Sequence, residues 1–236
     1  MTIHGGSWAA GWSKLVMRGV AGDLARRGFA VWNIEYRRVG RGQGGGWPAT
    51  FEDVAAAIDA LARIDAPLDL EHVTFLGHSA GGTLALWAAE RDLLTPGGAA
   101  VVEPVAVVAQ AAVTELATVY REYDGGAVGW LMGGSPERRP ERYALADPIA
   151  RVPIEVPVLL VHGTEDAVVS VRRSRNYAAA ALAADGEVEL VELAGADGGH
   201  RMHVDPGSAA WAVVTGWLAG PVRDLVRAQT ERPQRD

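Results

Sequence analysis

Apolar positions along the chain fall into two alternating patterns. Short runs rich in β-branched residues are FAVWNIEY from Phe29, HVTFLG from His72, PVAVVA from Pro104, VPVLLVHG from Val156 and VELVEL from Val188. Between them lie longer Ala/Leu/Arg segments of helical period: Lys14 to Arg27, Phe51 to Arg63, Gly81 to Arg91, Ser170 to Ala184 and Ser208 to Leu218. In the second of these, Val54, Ile58 and Leu61 fall on one face, flanked by Glu52, Asp53 and Asp59. This alternation predicts an α/β fold, with a mostly parallel central sheet flanked by crossover helices. Several strand candidates are apolar throughout, as strands covered on both faces are. Two segments break the plan. RVGRGQGGGW, from Arg38 to Trp47, is too rich in glycine for regular structure and reads as a loop. Residues 111–156 are long for a strand-to-helix connection and read as a small lid-like insert. The expected organisation is a single domain over residues 1–220 and a polar, disorder-prone C-terminal tail over 221–236.

Composition narrows the functions open to such a domain. With 236 residues, 49% of them hydrophobic, one sizeable core can form. The net charge of −7 is spread over interspersed acids and bases, so neither nucleic acid nor a tail-binding partner is expected. The absence of cysteine rules out disulfides, a thiol nucleophile and cysteine-ligated metal. No cofactor and no metal are expected. No apolar run reaches the roughly 18 residues that span a bilayer. His4 and two glycines interrupt the N-terminus, which does not read as a signal peptide. The expected location is cytoplasmic, without a membrane partner.

Candidate chemistry begins at Gly77-His78-Ser79-Ala80-Gly81, a G-x-S-x-G pattern. Its context carries more weight than the pattern: HVTFLG reads as a strand and GGTLALWAAE as a helix. A sharp strand-to-helix turn lifts a serine hydroxyl above the sheet edge, and the helix N-terminus offers the Ala80 N–H to a developing oxyanion. Ser79 is therefore the candidate nucleophile. His4-Gly5-Gly6-Ser7-Trp8 follows a very short apolar start, and such a turn can aim the Gly6 and Ser7 N–H groups at the same point. An acid is expected just past the strand VPVLLVHG, on the edge where α/β folds bind ligands. There Asp166 is favoured over Glu165 by its shorter side chain, and His162 reads as structural. In the order Ser…Asp…His, four of the six histidines precede the acid, leaving His200 and His203 in GADGGHRMHVDP. Flanking glycines favour His200, but the residues alone leave both open.

Together these pieces resemble the α/β-hydrolase fold, in particular the small HGG-x-W esterases, a group that includes kynurenine formamidase-like hydrolases. The resemblance runs through HGGSW, EYRR, WPATFEDVAAAIDAL, LGHSAGGTLALWAA, GGSPERRPERY, LLVHGTEDAVV and GADGGHRMHVDP. It implies that His200 occupies the family's histidine position, with Gly198-Gly199 inserted before it and His203 at a position usually apolar. It implies a serine carboxylic-ester hydrolase acting through an acyl-enzyme. Ser79, Asp166 and His200 would be catalytic, and Gly6, Ser7 and Ala80 would form the oxyanion hole. The expected partner is a small-molecule ester of short to medium acyl chain, contacted by Trp8, Trp47 and Trp130, with Trp12 a further candidate. An arylformamidase using the same triad and a non-catalytic ligand-binding relative are the alternatives. Because the fold normally begins with a strand hairpin, and only three residues precede His4, most N-terminal strands are expected to be missing. Met1 then reads as an internal start, with roughly 20 to 40 residues upstream. Such a segment could have carried a targeting signal.

Overall fold

Every residue of Pro104–Gln110 is buried, a state that only a strand covered on both faces reaches. The computed structural model, which describes residues 1–230, places this strand at the centre of a five-stranded parallel sheet. In chain order the strands are β1 (Thr2–Ile3), β2 (Val73–His78), β3 (Pro104–Gln110), β4 (Val158–Gly163) and β5 (Val188–Leu193), and they lie side by side in that order. The fold is that of an α/β hydrolase. The period of two sends alternate side chains to opposite faces. Phe75, Val107, Ala109, Val158 and Leu160 enter one core, whereas Leu76, Ala106, Val108, Leu159 and Val161 enter the other.

Helices close both cores. The first receives Phe51, Val54 and Ile58 of α2 (Ala49–Asp59), Leu84 and Trp87 of α3 (Ala80–Ala89), and Tyr177 from the helix Arg172–Ala183. The second receives Val20 and Leu24 of α1 (Arg18–Arg26) and Trp211 and Val214 from the helix Ala209–Ala219. Helix α3 is apolar all round and buried along nearly its whole length, as a central helix must be. The segment 111–156 folds as three short helices: α4 (Leu116–Glu122), α5 (Gly126–Met132) and α6 (Pro140–Ala146). The helix Arg172–Ala183 is then α7, and Ala209–Ala219 is α8. Buried Arg173 of α7 pairs with Glu115 at 2.9 Å and with Glu122, which ties the insert to the main body.

Two expectations from the sequence need correction. Residues 221–230 form helix α9 (Pro221–Thr230) rather than a polar tail, because Val222, Leu225 and Val226 recur at helical spacing and pack on the second core. Residues 231–236 of the expected tail lie outside the described residues. FAVWNIEY, among the described residues, pairs only through a bridge from Asn33 to Thr2. Its neighbour β1 is two residues long and supplies only the Thr2 N–H to Trp32 and the Thr2 carbonyl to Ile34. Below β1, between Phe29–Trp32 and Val73–Thr74, opens an apolar groove of about 570 Å³, also lined by Leu68 and Val226. Among the described residues no helix is long and apolar enough to cross a membrane.

Candidate active site

Ser79 follows the last residue of β2 and precedes the first of α3. Its backbone sits at φ 52° and ψ −122°, a left-handed conformation that a serine adopts only when its surroundings enforce it. The surroundings are visible. The Ser79 N–H donates to the Gln110 carbonyl at 2.7 Å, and the Ser79 carbonyl accepts from Gly82 and Thr83. Gly77 and Gly81 lie so close that a Cβ on Gly77 would overlap the Gly81 carbonyl. Both glycines are therefore steric requirements of the turn, and the Ala80 N–H has no acceptor within its helix.

The His4–Trp8 loop arrives from β1 with three successive positive φ angles: Gly6 at 114°, Ser7 at 53° and Trp8 at 56°. His4 is buried and stacks on Tyr36 at 4.2 Å between ring centroids. Its Nε2 lies 2.6 Å from Glu35, and the Tyr36 hydroxyl donates to the His4 carbonyl at 2.8 Å. The EYRR stretch thus acts as a scaffold for the loop. Gly5 lies directly on the elbow, since a Cβ there would sit 3.0 Å from the Ser79 Cβ.

Asp166 and His200 are brought together across the ends of β4 and β5. His200 Nδ1 donates to Asp166 Oδ2 at 2.7 Å, which leaves Nε2 as the lone-pair nitrogen of the neutral ring. Asp166 Oδ1 accepts the N–H groups of Val168 and Val169 at 2.8 and 2.9 Å. Burial opposes ionisation of this carboxyl, but hydrogen bonds from His162, His200 and the Val169 N–H outweigh it and hold the pKa far below the carboxylate range. Glu165 is exposed and takes a hydrogen bond from the Thr164 hydroxyl, so the shorter acid is the one that meets the histidine. Among the described residues, the Ser79 hydroxyl and His200 Nε2 carry no hydrogen bond.

Three other histidines surround this pair. His162 lies 3.3 Å from Asp166 through Nε2, which also donates to the Val169 carbonyl, while Nδ1 faces the Ser174 hydroxyl at 2.7 Å. His203 is fully buried, and among the described residues neither of its ring nitrogens finds a partner. Burial, with His162 and His200 nearby, pulls its pKa down to about 4. Gln110 holds its main chain, donating to the His203 carbonyl at 2.9 Å. His78 turns its ring toward His200, 4.7 Å between centroids. The sequence offered no signal for the placement of His78 or Gln110, because each acts on a segment about a hundred residues away.

The tryptophans separate. Trp8 is 2% exposed and donates to the Ala80 carbonyl at 3.1 Å, so it braces the loop against α3 and offers no surface to a ligand. This corrects its expected role as a substrate contact. Trp47 packs edge-on against Phe51 in the first core. Trp130 on α5 is 61% exposed, and half-exposed Trp12 lies against Gly6, where it closes the space a Cβ would need.

Sheet topology and helical layers are those of the α/β-hydrolase fold. More narrowly, the chain belongs to the BD-FAE family, whose model matches residues 1–181. It is 27% identical over 220 residues to esterase LipC of Mycobacterium tuberculosis (strain ATCC 25618 / H37Rv), a match that covers 84% of this chain and 51% of that protein. The chain thus spans about half the length of that relative. A truncated carbohydrate esterase from gut microbiota superposes with a TM-score of 0.78 at 22% identity, covering 94% of this chain and 85% of that one. Inhibited esterase B from Lactobacillus rhamnosis gives 0.81 at 20% identity, covering 97% and 77%.

Proposed function

We propose that the chain hydrolyses carboxylic esters through an acyl-enzyme on Ser79. The reading is supported by the His200–Asp166 pair, bonded at 2.7 Å, and by the 3.0 Å contact of the His200 carbonyl with His78, the residue before Ser79 in its strained elbow. His200 Nε2 takes the Ser79 proton as Oγ attacks the acyl carbonyl. Asp166, kept ionised, stabilises the imidazolium that forms. The N–H groups of Ala80, Gly6 and Ser7 receive the oxyanion, and one such donor is typically worth about 3 kcal/mol of barrier. The imidazolium then protonates the departing alcohol. Water enters and gives a proton to His200 as its oxygen attacks the acyl carbon, and the acid leaves as the imidazolium returns that proton to the Ser79 oxygen. No metal or cofactor takes part in this reading.

The substrate proposed is a short to medium acyl ester, with Trp12 and Trp130 as the aromatic surface beside the oxyanion loop and on the insert. One structural neighbour is a carbohydrate esterase, so acetylated sugars belong beside simple esters and formylkynurenine in a substrate panel. The test is covalent labelling by a fluorophosphonate probe. Labelling that disappears in Ser79→Ala, together with a burst of alcohol release from p-nitrophenyl esters, is the expected result. Folded protein that takes no label would make the chain a ligand binder instead.

A further inference from the structure

His78 is the first x of the G-x-S-x-G pattern, directly before the candidate nucleophile. Its ring reaches across to the loop after β5, and Nε2 lies 3.0 Å from the His200 main-chain oxygen. A carbonyl only accepts, so Nε2 carries the hydrogen and Nδ1 the lone pair. The other side of the residue is filled by the oxyanion loop. A Cβ on Gly5 would come within 2.9 Å of His78 Nδ1 and 2.7 Å of the His78 carbonyl. The ring is therefore wedged between the two loops that must be in register with Ser79.

We propose that His78 is a positioning residue for His200, fixing the main chain of the base from the nucleophile side while Asp166 fixes its ring. The inference rests on His200 being the general base. Two attachments of different kinds are needed because of where His200 sits. It opens a short 3-10 turn (His200–Val204) directly after Gly198 and Gly199, and a single bond at Nδ1 leaves the ring free to swing about that contact. Gln110 repeats the arrangement at the far end of the turn through the His203 carbonyl. Burial, with His200 and His203 close by, keeps His78 neutral, its pKa drawn down to about 3. A neutral donor suits the place. A charged one, 4.7 Å from the His200 ring, would oppose formation of the imidazolium.

The experiment compares His78→Leu and His78→Gln in the full chain, with His200→Ala alongside. His78→Leu keeps the bulk and removes the donor. It is expected to lower kcat about tenfold or more, as a small misplacement of a catalytic group does, with KM nearly unchanged. The downfield proton resonance of the His200–Asp166 hydrogen bond should broaden in the same variant. His78→Gln, whose amide can reach the carbonyl, should recover most of the loss. Equal kcat in wild type and His78→Leu would overturn the proposal, as would a loss that Gln fails to restore. Should His78→Leu not fold, the ring nitrogen shifts of wild-type His78 decide: hydrogen on Nε2 supports the proposal, hydrogen on Nδ1 sinks it. If His200→Ala itself retains turnover, the fault lies in the choice of base rather than in His78.

Discussion

The two ends of the sheet carry the same strands to opposite outcomes. At the carboxyl ends, four histidines, Asp166, Gln110 and two glycine-rich loops meet, and the backbone of Gly6, Ser7, Trp8 and Ser79 is held at positive φ. At the amino ends, Phe29–Trp32 and Val73–Thr74 face each other across an open apolar groove. Strain and buried polar groups persist only where neighbours over-determine them, and at the carboxyl ends they do so around the candidate site. The structure is thus polarised: organisation is concentrated where chemistry is proposed, and the opposite end is left with apolar surface.

The sharpest way to break this contrast is to cut once at each end. His200→Ala should lower turnover by three or more orders of magnitude, while Phe29→Ala in the groove should leave it within about twofold, both read as kcat/KM on a p-nitrophenyl ester. Comparable losses at the two ends would mean that the amino-end groove feeds the site, and the polarity drawn above would fail.

Acid should attack the same end through stability. In the unfolded chain His78 and His203 take up protons near 6.5, whereas in the fold burial delays this to about 3 and about 4. Between those limits the unfolded chain binds more protons, so stability falls as the pH drops below 6.5, at a rate that approaches 1.4 kcal/mol per pH unit for each group. Asp166 adds its own loss only lower, below the ordinary carboxylate range, because its folded pKa is depressed. Glu90 and Asp147, whose carboxyls burial raises to about 7 and about 6, contribute with the opposite sign over the same range, so the test is a difference between variants: from pH 7 to 4 the melting temperature of His203→Leu should rise relative to wild type, with kcat kept within a few-fold. A His203→Leu protein with an unchanged pH slope would show that this buried ring is not the sensor.

What the sequence disclosed about each end follows from how local the cause is. Ser79, Asp166 and the HGG loop were legible because each sits in a turn whose residues dictate its geometry: GHSAG between strand and helix, TED after a buried strand, glycines where φ must be positive. FAVWNIEY has the composition of a strand, but strand status also needs a partner, and β1 offers only two residues. Helix α9 was hidden by its polar composition, although Val222, Leu225 and Val226 already had the spacing of a buried face. The parts that stayed illegible are those fixed by contacts between distant segments: His78 on the His200 carbonyl, His162 on Asp166, and Trp8 turned inward against Ala80. Nothing in the local sequence distinguishes an indole that packs from one that waits for a ligand.

The smallest effect expected separates two adjacent glycines. Gly198-Gly199 read as one insertion before the histidine, yet the structure treats its halves differently. Gly198 lies on the end of β4, where a Cβ on Gly163 would overlap the Gly198 carbonyl. A Cβ on Gly198 itself would run into the Glu165 carboxylate and sit 3.1 Å from the Leu193 carbonyl. Glu165 is exposed and can swing aside, but the Leu193 backbone cannot, so Gly198→Ala should shift the loop slightly at a cost of about 1 kcal/mol. Gly199 has nothing within 4 Å of a Cβ and an ordinary φ of −85°, so Gly199→Ala should be neutral in stability or mildly stabilising through the unfolded chain. Because His200 follows directly, the Gly198→Ala shift should appear as a several-fold fall in kcat, and Gly199→Ala should leave kcat alone. Paired denaturation and kinetic measurements decide. Equal behaviour of the two variants would mean that the insertion is a flexible spacer, and that only Asp166 and His78 hold the base in place.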